Sequence, residues 1–150
     1  SKIKTINTIA GELKNAFAPM SVTITLEDDI GVSRGDMIVR SNNKAEASQD
    51  IEVMLCWLTH LPAKPASKYT IRHTSNEQKA IIKEIVYKID INSLSRLPNE
   101  KELRMNDICK ARIRTTKPLL IDSYRENRIT GSIILIDDDT NETVAAGMIV

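Results

Sequence analysis

Aromatic side chains are almost absent from this sequence: one Trp, three Tyr and one Phe make up 3% of it. The core must therefore be assembled from Ile, Leu, Val and Met, and few rings are available to stack on nucleobases. Cysteine is equally scarce. Cys56 and Cys109 are the only two, neither belongs to a CxxC, and no further ligand lies at zinc-like spacing. Both fall in apolar strand patterns, where a free Cys serves as a small hydrophobe. His60 and His73, near the ends of predicted strands, have no sequence partner for a metal or base role. No apolar run is long enough to cross a membrane as a helix, and no apolar signal segment opens the chain, so the expected location is cytoplasmic.

The catalogue of chemical motifs is also empty. There is no GxxxxGK[ST] loop to cradle a nucleotide phosphate with backbone amides, no GxGxxG after a strand, no HExxH and no GxSxG elbow. Asp28-Asp29 and Asp137-Asp138-Asp139 lack the DxDxDG alternation and closing Glu of a calcium loop, and they fall in turns that favour Asp anyway. The sequence thus assigns no catalytic, cofactor-binding or metal-ligating residue.

What is present is a globular balance of 41% hydrophobic and 27% charged residues over 150 positions, enough for one ordinary domain or two small ones. Net charge is +1, which favours no polyanionic partner. Its distribution is uneven. Acids dominate from Glu27 to Glu52, and bases from Lys101 to Arg128. Such asymmetry either steers a partner or marks solvated strand faces.

Period-two alternation is the dominant pattern. Met20, Val22, Ile24 and Leu26 share one face of a strand, and Met37–Arg40 is a second, short one. Ser41–Asp50 is polar throughout and is the expected linker. Beyond it Ile51, Val53, Leu55 and Trp57 line one face while Met54, Cys56 and Leu58 line the other, as in a central strand covered on both sides. Pro62 and Pro65 demand a loop. Further strands are expected over Lys68–His73, Ala80–Ile91, Asp107–Thr115, Gly131–Ile136 and Thr143–Val150. In one of them Cys109, Ala111 and Ile113 face inward while Lys110, Arg112 and Arg114 face outward. Residues Asp137–Asn141 form a hairpin loop. Only Gly11–Ala18 and Leu97–Leu103 have helical character. Many short strands with turns between them predict an all-β antiparallel barrel or sandwich.

Three stretches go further. They are Leu26–Asp36, with its Ser33-Arg34-Gly35-Asp36 turn; Trp57 to Leu94, with Pro62, Pro65, Tyr69, Ile71 and Tyr87-Lys-Ile-Asp-Ile-Asn92; and Asp122–Gly131 continuing through Thr143-Val-Ala-Ala-Gly-Met-Ile149. In order and content they resemble the GTP-binding large subunit of bacterial sulfate adenylyltransferase, a relative of translation elongation factors. Ala66 departs from the pattern, which commonly has Gly there. The resemblance implies residues 1–46 as the last strands of a second β-barrel domain, incomplete here, and residues 50–150 as a complete third domain, an antiparallel barrel. It also implies a preceding GTPase domain carrying GTP and Mg, and a small subunit that makes adenylyl sulfate from ATP and sulfate. Partners would be that small subunit and the GTPase domain. A barrel cut short would leave edges open along residues 1–8 and 20–40, inviting a second copy of the chain. The alternative is the equivalent part of an elongation factor, with Lys110, Arg112 and Arg114 as a basic stripe for tRNA. The near-neutral charge and missing aromatics oppose it.

Overall fold

The computed structural model describes residues 1–39, 42, 46–63 and 66–150. They form two compact units, Ser1–Ser33 and Arg34–Val150. Among the described residues there is no helix, as the alternation predicts.

The first unit is a three-stranded antiparallel sheet of β1 (Ile3–Thr8), β2 (Gly11–Leu13) and β3 (Thr23–Leu26) in the order β2-β1-β3. Gly11, at a φ of 122°, opens β2 after a two-residue turn, a backbone state few side chains tolerate. Gly11–Ala18 is thus a hairpin strand and loop instead of a helix. Ile6 pairs with Leu13 on one side and Ile24 on the other. None of Ser1–Ser33 is buried.

The second unit contains β4 (Glu46–Trp57), β5 (Lys68–His73), β6 (Asn76–Ile89), β7 (Arg96–Leu97), β8 (Ile108–Ile121), β9 (Ser132–Ile136) and β10 (Thr143–Ile149). The strand order β5-β9-β10-β4-β8-β6, with β6 returning to pair with β5, closes a six-stranded antiparallel barrel, and the short β7 adds to β6 outside the ring. Closure leaves no free edge within the ring.

The interior alternates large and small residues, as a narrow barrel requires. Along one cross-strand row Ile133 faces Gly147, Gly147 faces Leu55, and Leu55 faces Cys109. A neighbouring row runs Leu135, Ala145 and Trp57. Gly147 is required by this packing, because a Cβ there would lie 2.7 Å from Leu55 Cδ2 and 3.1 Å from Ile133 Cγ1. Ile51, Val53, Leu55, Ile71, Ile82, Ile85, Ile113 and Leu135 are all sealed from solvent, each contributing roughly 1.5–3 kcal/mol of hydrophobic stabilisation. Trp57 caps this core. Its ring meets Tyr69 edge-on at 5.7 Å and its Nε1–H donates to Leu61 O at 2.8 Å.

Four expectations are revised. Glu46–Asp50, read as the end of a linker, is paired strand: Glu46, Ala47 and Ser48 lie opposite Ile121, Leu120 and Leu119. The side chains of Glu46, Ala47 and Ser48 are not themselves buried, so this part of β4 shows no apolar alternation; Ser41 and Asn43–Ala45 lie outside the described residues. Met37–Val39 is not strand, and Arg40 is likewise outside the description. The Leu97–Leu103 segment, expected to be helical, instead contributes β7 and a bridge between Leu103 and Ala63. Finally, β4 is central but covered on one face only, since Met54 and Cys56 remain half-exposed.

Candidate interaction surface

Among the described residues no group of His, Cys, Asp and Glu could hold a metal ion. The individual side chains agree with that. Cys109 is fully buried, and burial pushes its thiol up to about 12, where no reactive thiolate exists at neutral pH. Cys56 lies on the opposite face of the sheet, half-exposed. His73 is buried, with Nε2 placed 2.6 Å from Thr130 O, so that nitrogen carries the proton and donates to the carbonyl. His60 is exposed.

The Asp137–Asp139 turn is structural. Asp137 Oδ1 accepts from the Thr140 N–H at 2.9 Å, the Asp139 N–H at 3.1 Å and the Thr140 hydroxyl at 3.1 Å. These bonds, that of the Thr140 amide first, hold its carboxyl below the ordinary range. Asp138 is engaged by the Lys79 ammonium at 2.7 Å and the Thr70 hydroxyl at 2.7 Å.

The basic stripe is the most informative feature. Lys110, Arg112 and Arg114 do face outward from β8, as expected, but β4 sets acids directly beside them. Glu52 takes Lys110 at 2.6 Å and Arg112 at 2.9 Å, Arg112 also reaches Glu84 at 3.0 Å, and Asp50 pairs with Arg114 at 3.0 Å and Lys83 at 3.3 Å. The Glu52 carboxyl is held low by its bonds from Lys110 and then Arg112, and Arg112 is raised chiefly by Glu52. The end of the acidic region and the middle of the basic one are therefore two strands folded against each other. A cross-strand ladder of this kind stabilises register and leaves little net charge for a phosphate backbone. The signal was legible in principle: Asp50 and Glu52 repeat at the same two-residue step as Lys110, Arg112 and Arg114.

Next to the ladder the outer face of β4 and β10 is apolar and half-exposed. Met54 lies opposite Met148, with Cys56 opposite Ala146, and Met148 is 44% exposed. A shallow groove of about 480 Å³ runs along Met54, Met148 and Tyr124. The loop that borders it is pinned by Gly131, whose N–H donates to Asn127 O at 2.8 Å while its carbonyl accepts from the Ile149 N–H at 2.8 Å. A Cβ at that position would meet the Tyr124 backbone at 2.4 Å, so the Thr130-Gly131 step of the sequence motif is a packing requirement.

Residues 50–150 match the family described as GTP-eEF1A C-terminal domain-like. The chain is 45% identical over 149 residues to the bifunctional enzyme CysN/CysC of Rhodopirellula baltica, spanning 99% of this chain and 23% of that protein. It is 41% identical over 150 residues to sulfate adenylyltransferase subunit 1 of Bacteroides fragilis, covering 31% of it. Among solved structures, Sup35 complexed with GDP superposes with a TM-score of 0.85 at 16% identity, over 99% of this chain and 37% of that one; that likeness concerns the fold alone. The chain spans about a quarter to a third of the length of these curated relatives.

Proposed function

The chain belongs to the GTP-eEF1A C-terminal domain-like family, and we propose that it is the accessory β-barrel region of the GTPase subunit of a sulfate adenylyltransferase, supporting GTP-driven formation of adenylyl sulfate from ATP and sulfate. The observation that carries this reading is the identity of 43% and 41%, over 90% and 100% of this chain, to proteins named sulfate adenylyltransferase subunit 1. Fold class alone does not distinguish this branch from the translation factors.

In this reading the chain contributes no reacting group. GTP and Mg are held by a GTPase domain outside the 150 residues, and the small subunit joins ATP to sulfate. The barrel supplies a rigid body that relays the nucleotide state. The half-exposed Met54 and Met148 face is the surface suited to a protein partner, since soft, adaptable Met side chains favour such contacts. The Ser1–Ser33 unit holds the closing strands of the second barrel, and the location is cytoplasmic. The ion-paired ladder disfavours the tRNA-binding alternative.

The test is to immobilise the small catalytic subunit and, separately, aminoacyl-tRNA, and to measure retention of the chain at several salt concentrations. Retention by the small subunit, reduced by Met54→Lys, is the expected result. Salt-sensitive retention by tRNA alone would replace the proposal with the elongation-factor reading.

A further inference from the structure

A recess of about 620 Å³ opens beside the hairpin that joins β5 to β6, and no role described above uses it. Three donors converge on it. Arg34 lines it from the Ser33-Arg34-Gly35-Asp36 turn, which seats closely on the hairpin: a Cβ on Gly35 would lie 2.7 Å from the Asn76 side-chain nitrogen. Arg34 Nε–H donates to Ser75 O at 3.1 Å, which fixes the guanidinium plane while its two terminal NH2 groups have no partner among the described residues. It makes no ion pair among the described residues. The second donor is Lys117, whose ammonium also lacks a carboxylate partner among the described residues, although Lys110, Arg112 and Arg114 on the same strand all have one.

Gln78 is the third. Its Oε1 accepts from Lys117 N–H at 2.6 Å and from the Thr116 hydroxyl at 2.9 Å. Those bonds fix which end of the amide is oxygen and leave Nε2, fully buried, with no acceptor. A buried donor left unsatisfied is costly, and Gln78 is one of the residues that line the recess. The one carboxylate in the lining, Glu77, is occupied by Arg72. The lining thus carries excess positive charge, unused N–H groups and no aromatic ring, which suits a compact anion better than a nucleobase.

We propose that this recess binds a small divalent oxyanion, held by the Arg34 guanidinium and the Lys117 ammonium with the Gln78 amide as its inner donor. Sulfate and phosphate share the required chemistry. The inference does not depend on the sulfate-activation reading.

The experiment is a titration of the whole 150-residue chain with sodium sulfate and with sodium phosphate, followed by nitrogen-15 NMR, ionic strength being held constant with sodium chloride. Saturable shifts are expected at the Gln78 side-chain amide and Arg34 Nε–H. Arg34→Gln and Lys117→Gln should each weaken binding about tenfold. Both side chains are exposed, so an unchanged backbone spectrum will confirm that the fold is retained. Arg34→Lys, keeping charge but not the fork, should fall between. Saturation by both ions supports a site that reads charge and size, and saturation by one supports the site and identifies its ion. Linear shifts matched by chloride alone, or full affinity in Arg34→Gln, would overturn the proposal.

Discussion

Position 66 shows how far a single residue can be read. The resemblance commonly has Gly there, and the backbone of Ala66 adopts a φ of 69°, the left-handed state that costs an L-residue about 1–2 kcal/mol. Its N–H donates to Ile82 O at 2.8 Å, which locks the strained conformation to β6. Ala66→Gly relieves the strain but returns part of the gain as unfolded-state entropy, so a net stabilisation of about 0.5–1 kcal/mol is expected in urea denaturation. Gly131 presents the opposite case. An added methyl would sit 2.4 and 2.5 Å from Tyr124 Cα and N and 2.8 Å from Asn127 O. Backbone cannot yield as a side-chain tip does, so Gly131→Ala should cost about 3 kcal/mol or more, measured the same way. The sequence marked both positions as unusual, but only the geometry shows that one wants glycine for its dihedral and the other for its missing Cβ.

Element by element, alternation was a good guide wherever a strand has one buried face. In β8, Cys109, Ala111 and Ile113 are inside as their spacing required. It failed for Glu46–Ser48, which pair with β8 without burying their own side chains, and for the stretch of β8 past Thr115. There Pro118 interrupts the pattern and the register shifts opposite Ser48 and Asp50. The charge ladder was missed because it depends on which strands are neighbours, which alternation does not specify. Its pH response follows from Glu52, whose folded-state pKa lies below the ordinary 4.5. A depressed carboxylate stabilises the fold fully above 4.5 and loses that contribution as pH falls through the lowered folded value. The stability gap between the native chain and Glu52→Gln should therefore be constant near neutrality and close progressively below pH 4.5. Because the partners are half-exposed, added salt should narrow it as well. A gap that persists into strong acid would show that Glu52 acts through packing and not through charge.

For the whole molecule, the motifs that the sequence lacks, a phosphate loop first among them, narrowed the reading as much as those it has. Surfaces for partners were not legible, since apolar residues on an outer strand face look like core until the barrel closes. The Ser1–Ser33 unit leads to the last prediction. Among the described residues its sheet ends on both sides in strands with an unpaired edge, β2 and β3, and Ile3, Ile9, Phe17 and Met20 are exposed. Open edges flanked by apolar side chains recruit further strands, and in solution the available strand is that of a second copy. Sedimentation should therefore show concentration-dependent association of the isolated chain, with amide exchange in Thr23–Leu26 slowing as concentration rises. The closed barrel offers no such edge, so exchange in Val53–Leu55 should stay constant over the same range. A monomer at all concentrations with well-protected amides in β3 would show that the three-stranded sheet is complete by itself.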